Sequence, residues 1–281
     1  MRLRGVKGSR NVEDRRTMGG KAGAGIGGVG LLIILAIGYF AGVDVTPLLQ
    51  GQLDGATQQG AAPRELTAEE QQAGEFATRV LATTEEVWSK RFPTDFGKTY
   101  RPPTLVLYSG VTQSPCGGAS GATGPFYCPA DKKAYLDTDF FATMAKKLGA
   151  KGDFAAAYVI AHEVAHHVQN ELGIIPQVNK ARQGASEVQA NALTVRLELQ
   201  ADCLSGVWAS DVGGLLEPGD IEEALNAARQ IGDDTLQRKA GRVPQPHTFT
   251  HGTSEQRQRW FAAGYDSGDP GSCDTFGADR L

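Results

Sequence analysis

Residues 162–166 read His-Glu-Val-Ala-His, and this spacing constrains the chain more than any other feature of its 281 residues. On an α-helix two imidazoles at i and i+4 share a face and lie about one turn apart, close enough to meet one ion. The flanking residues agree: Phe154, Ala157, Tyr158, Ile160, Ala161, Ala165 and Val168 give an apolar helix over Gly152 to Leu172, stopped near Gly173 with Pro176 beyond. Two His and a Glu on such a helix need partners, because unpaired buried polar groups are costly. A metal ion between His162 and His166 answers that need, and Glu163 then lies beside any water held there.

Zinc asks for a third protein ligand and one open position. The next long helix, Ser186 to Asp211, begins with the capping box Ser186-Glu-Val-Gln189 and contains Glu198 and Asp202, again at i and i+4. They sit among Leu193, Val195, Leu197, Leu199, Ala201, Leu204, Val207 and Trp208. Carboxylates in such surroundings must meet cations or donors. Glu198 on the metal and Asp202 hydrogen-bonded to a ligand His would satisfy both; a surface face paired with Arg196 is the alternative.

A coarse pass gives further helices from Thr67 to Trp88 (capping box Thr67-Ala-Glu-Glu70), over Thr138 to Leu148, from Asp220, and from Ser254 to Tyr265. Thr104 to Tyr108 reads as a strand, and Pro125 to Leu136 as a hairpin turning near Asp131. Few strands among many helices predict an α+β, mostly helical domain with a small antiparallel sheet, spanning residues 65–281. Residues 44–64, rich in Gln, Gly, Ala and Pro, read as a flexible linker.

Residues 1–21 carry seven Lys or Arg against two acidic residues, +5, while the whole chain is −4. The 22 uncharged residues Ala22 to Val43 follow, and as a helix they would span about 33 Å, enough for a hydrocarbon core. One transmembrane helix over 22–43 is therefore predicted, with residues 1–21 as a basic cytoplasmic tail and the domain outside, at the cell (inner) membrane. The absence of a small-x-small site argues against a cleaved leader. Gly23, Gly25 and Gly28 match a nucleotide-binding fingerprint in form only, since no strand precedes them. The acidic body excludes a general nucleic-acid binder.

Cys116, Cys128, Cys203 and Cys273 make an even count, which outside the cytoplasm points to disulfides. Cys116 and Cys128 flank a Gly-rich loop and are expected to close it, leaving Cys203 with Cys273; the other two connectivities and free thiols stay open. With no C-x-x-C, these Cys do not read as a zinc site.

His162-Glu163-x-x-His166 followed by Glu198-x-x-Ala201-Asp202 resembles the gluzincin metallopeptidases and, more narrowly, the bacterial family called putative neutral zinc metallopeptidases. The resemblance takes in the basic N-terminus, the apolar segment, the Cys loop and both helices. It extends to Thr250-His251-Gly252-Thr253-Ser254-Glu255-Gln256-Arg257, with Gly252 where membrane-associated gluzincins have Pro. It implies a zincin-like, membrane-anchored peptidase holding Zn²⁺ on His162, His166 and Glu198. Glu163 would be its general base, and a protein or peptide its substrate, lying extended along the 125–136 hairpin. His251 is the candidate oxyanion donor and Arg257 a structural residue. The competing function is a non-catalytic, zinc-stabilised scaffold that binds envelope partners. His167 reads as a packing or hydrogen-bonding residue, His247 as surface, and Gln169 and Asn170 as exposed helix positions.

Overall fold

The computed structural model describes residues 1–17, 65–120 and 124–281. Strand β1 (Val12–Asp14) is followed by helix α1 (Ala68–Asp95), strands β2 (Thr104–Tyr108), β3 (Val111–Ser114), β4 (Gly117–Ser120), β5 (Phe126–Cys128) and β6 (Lys133–Asp137), and the short helix α2 (Asp139–Thr143), which runs into a π turn. The rest is helical: α3 (Asp153–Leu172), α4 (Ile174–Arg182), α5 (Glu187–Asp211), α6 (Asp220–Gln230), α7 (Asp233–Lys239) and α8 (Ser254–Ser267). The mostly helical α+β architecture agrees with the sequence reading.

The sheet runs β1-β2-β6-β5. It is mixed rather than antiparallel as expected: β1, β2 and β6 are parallel, and only β5 runs against β6, with Phe126 opposite Tyr135 and Cys128 opposite Lys133. The turn between β5 and β6 falls at the expected place, with Lys132 in the left-handed region at φ 58°. A separate hairpin pairs β3 with β4, which lies inside the Gly-rich Cys loop; its Gly and Ser residues carry no strand periodicity that would reveal it.

The transmembrane helix expected before the domain is corrected. Residues 22–43 lie outside the described residues, as does the linker 44–64, and no helix among the described residues is long and apolar enough to cross a membrane. What flanks the segment also contradicts a single span. Residues 1–17, expected as a tail on the far side of a membrane, form part of the domain itself: Val12, Glu13 and Asp14 pair with Leu105, Val106 and Leu107 of β2. Met1 and Leu3 are buried in the core. One crossing between residues 17 and 65 would place on opposite sides two segments that share one sheet. Two of the basic residues that suggested a tail have local acidic partners instead: Arg15 meets Glu13, and buried Arg16 meets Asp14.

Helix α3 is the axis of the core. Every residue from Phe154 to Gln169 is buried, so apolar packing surrounds it rather than covering one stripe. Its Phe154 ring stacks on Trp208 of α5 at 5.7 Å. Helices α5 and α8 cross at glycines. A Cβ on Gly206 would lie 2.1 Å from the Phe261 carbonyl oxygen, and one on Gly264 would lie 1.9 Å from that of Cys203. The crossing requires backbones without side chains at both points, and it sets Arg257 of α8 against Asp202 of α5.

Both anticipated disulfides are present, Cys116–Cys128 and Cys203–Cys273. The first fastens the β3–β4 hairpin to β5. The second holds the chain's final stretch against α5.

Candidate metal centre

Helices α3 and α5 lie side by side, and their polar residues meet at one place. His162 Nε2 is 3.1 Å from Glu198 Oε2, and His166 Nε2 is 3.5 Å from Glu198 Oε1. One ligand atom from each of the three lies within 4.8 Å of the others, so they could hold one cation. Two imidazole nitrogens and a carboxylate oxygen are a donor set that suits zinc. The set opens on a cleft of about 810 Å³ whose wall also carries Glu163, Tyr158, Arg257 and His251, with residues 124–127 leading into and along β5 opposite.

Behind the ligands lies a second layer. His162 Nδ1 is 2.9 Å from Asp202 Oδ1, a close ionic contact not aligned as a hydrogen bond. Asp202 is fully buried and accepts from Tyr158 Oη at 2.6 Å and from Arg257 Nε and Nη2 at 2.8 and 2.9 Å. A forked guanidinium on a carboxylate is among the stronger ion pairs, and at this burial it must stay paired. His166 Nδ1 meets Gln169 Oε1 at 2.9 Å. Arg196, the alternative partner for these carboxylates, instead donates to the carbonyls of Thr275, Phe276 and Ala278.

Electrostatics follow the geometry. Burial opposes charge on Asp202, but Arg257 and His162 outweigh it and hold its carboxyl at about 2. Burial also opposes charge on Glu198, and the imidazoles of His166 and His162 overcome it, placing it well below the ordinary carboxylate value. Glu163 goes the other way: burial dominates and raises its carboxyl. Burial lowers His162, while Asp202 and Glu198 push it up to about 10. The carboxylates that favour positive charge on these imidazoles would equally attract a metal cation.

His251 lines the cleft half-exposed. Its Nδ1 lies 3.0 Å from Thr250 Oγ1 and 3.3 Å from Asp233 Oδ1, and its backbone N–H donates to Asp233 Oδ2. Asp233 thus orients the ring, a role no spacing in the sequence could indicate because the two residues meet only in the fold. His167, expected in a packing or hydrogen-bonding role, is buried and hydrogen-bonded between Tyr127 Oη at 3.0 Å and the Arg101 carbonyl at 2.6 Å. His247 is exposed on a short 3₁₀ turn, Pro246–Thr248, away from the cleft lining. Gln169, expected as an exposed helix residue, is fully buried. Its sequence signal was available: it lies three residues after His166, on the same helical face.

A family profile described as putative neutral zinc metallopeptidase matches residues 1–276. The chain is 50% identical over 289 aligned positions to the "Uncharacterized protein YpfJ" of Escherichia coli (strain K12), covering 99% of each. It is 44% identical over 219 positions to the "Uncharacterized protein Rv2575" of Mycobacterium tuberculosis (strain ATCC 25618 / H37Rv), covering 72% of this chain and 71% of the relative. No solved structure matches the chain at a significant level.

Proposed function

The chain belongs to the putative neutral zinc metallopeptidase family, and from that premise we propose that it hydrolyses peptide bonds in proteins or peptides at a zinc held by His162, His166 and Glu198. The observation that carries this reading is the convergence of those three ligand groups beside Glu163 on the wall of a cleft bounded by a sheet edge. Bound there, zinc would polarise the scissile carbonyl and make a water acidic enough to be deprotonated near neutral pH.

The chain's own groups perform the remaining tasks. Glu163 takes a proton from the attacking water and returns it to the leaving amine, and its burial-raised carboxyl suits both directions of transfer. Asp202, locked by Arg257 and Tyr158, holds the outer side of the His162 ring. His251, held at Nδ1 by Asp233 and Thr250, presents Nε2 to the oxygen that gains charge. Among the described residues β5 is paired on one side only, to β6, so an extended substrate can pair with its other edge. Phe126, Phe140, Ile231 and Leu236 line the same cleft and offer apolar contact to substrate side chains. The two disulfides support work in an oxidising compartment outside the cytoplasm.

The test is hydrolysis of an unfolded protein substrate by the wild type and by Glu163→Gln, with zinc measured in both. The variant is expected to keep its zinc and to lose roughly 10²- to 10⁴-fold in kcat. Unchanged hydrolysis in the variant would remove Glu163 from the mechanism and favour a binding role for the protein.

A further inference from the structure

His162 and His166 are supported differently. Behind His162 stands a carboxylate with its own counter-ion. Behind His166 stands a neutral chain of amides. Gln169 Nε2 donates to the Leu197 carbonyl at 2.7 Å and to Gln200 Oε1 at 3.0 Å, and Gln200 Nε2 donates to the Cys273 carbonyl at 3.0 Å. Gln169 is fully buried and Gln200 nearly so.

The polarity of this chain is fixed from its far end. A backbone carbonyl only accepts. The Cys273 carbonyl therefore requires the NH₂ of Gln200, which turns Gln200 Oε1 toward Gln169. Gln200 Oε1 and the Leu197 carbonyl together require the NH₂ of Gln169, which turns Gln169 Oε1 toward His166. An amide oxygen also only accepts, so Nδ1 of His166 must carry the proton. The lone pair is then left on Nε2, on the side of Glu198, where Oε1 lies 3.5 Å away. Leu197 immediately precedes Glu198, so the same amide also fixes the α5 backbone beside the second ligand. The Cys203–Cys273 disulfide ties the chain's last acceptor to α5.

We propose that Gln169 is a positioning residue of the metal centre, which sets the tautomer of His166 and the spacing of His166 from Glu198 through a hydrogen-bond chain anchored by Gln200 on Cys273. The proposal rests on the reading of His162, His166 and Glu198 as metal ligands. It also explains why the position is Gln rather than Glu: a carboxylate would face two acceptors, the Leu197 carbonyl and Gln200 Oε1.

The test compares the full chain with Gln169→Leu, Gln200→Leu and Glu198→Ala. Zinc affinity is measured by competition with a chromophoric chelator, and the tautomer of His166 is read from its ring ¹⁵N shifts in the metal-free protein. Gln169→Leu is expected to bind zinc about 10- to 100-fold more weakly, with loss of the Nδ1–H preference. Gln200→Leu is expected to be milder, because Leu197 still orients Gln169. Wild-type zinc affinity in Gln169→Leu, or weakened zinc with the Nδ1–H tautomer intact, would overturn the proposal while leaving the ligand set standing. If Gln169→Leu fails to fold, an unaltered tautomer and affinity in Gln200→Leu would overturn it instead. Absence of zinc from the wild type, or its retention in Glu198→Ala, would overturn the ligand set and this proposal with it.

Discussion

Helix α3 has a cluster of potential metal-ligating groups near each end, and only one of the two has the surroundings that suit a metal centre. In its C-terminal half, His162 and His166 meet Glu198. At its first turn, Asp153 meets Asp220 and Glu223 within the same 4.8 Å limit. The second cluster already has a cation. The Met1 ammonium lies 2.9 Å from Asp153 Oδ1, 3.0 Å from Glu217 Oε2 and 3.3 Å from Asp220 Oδ1. Glu223 is engaged too, accepting from the Phe154 backbone N–H at the helix start. The first cluster has imidazoles among its donors, a hydrogen-bonded layer behind them, a cleft in front and an acid–base residue alongside. Proximity of ligand atoms thus does not define a metal site; the groups that satisfy their charges do.

The largest effect that would sharpen this contrast comes from the layer behind His162. Arg257→Ala leaves the Asp202 carboxylate buried without its counter-ion and is expected to destabilise the fold by about 3–5 kcal/mol, measured by denaturant unfolding. A loss below about 1 kcal/mol would mean that Tyr158 and His162 support Asp202 without Arg257. Next comes His251→Ala, expected to lower kcat by roughly 10²-fold with zinc content and unfolding midpoint unchanged. A change in zinc content would make His251 part of the metal's support rather than of the reaction.

The smallest effect lies at the other end of α3. Asp153 is half-exposed, so Asp153→Asn is expected to cost under about 1 kcal/mol and to leave zinc untouched. The pH dependence there has a definite sign. Burial disfavours the charged Met1 amine, but its hydrogen bonds to Asp153 and Glu217 outweigh this and raise it from 8.0 to about 10. A raised amine contributes stability fully below about pH 8, and that contribution fades as pH rises through about 10. Thermal unfolding between pH 8 and 10 is expected to show a shallower decline in Asp153→Asn than in the wild type. Parallel declines would show that Glu217 and Asp220 hold the amine without Asp153.

How far the sequence could be read depended on how local each signal was. Helices α1, α3 and α5 were legible because periodicity, caps and stop signals lie within them: the boxes Thr67/Glu70 and Ser186/Gln189 are both formed, and Gly173 ends α3 at φ 84°. Both Cys pairings were legible from loop closure and count. The parallel sheet was not, because β1 meets β2 across some ninety residues of sequence separation and has only three residues of its own. The same gap misled the topology, since a basic stretch before an apolar one reads identically whether it is a tail or part of a domain. Within the site, Glu198 and Asp202 stood out as carboxylates in an apolar helix, whereas neutral Gln169 was marked only by its place on the His166 face and Gln200 by nothing. Asp233 had no signal, because its partner His251 lies beyond α7 and a 3₁₀ turn and meets it only once the chain has folded back.

The most direct test of the account is zinc content of the full chain, purified without added metal, in the wild type, in Glu198→Ala and in Asp153→Asn/Asp220→Asn. One zinc per chain is expected in the wild type and in the double variant, with loss in Glu198→Ala. Zinc that survives in Glu198→Ala but leaves with the Asp153 and Asp220 carboxylates would place the metal at the wrong end of α3 and contradict the account.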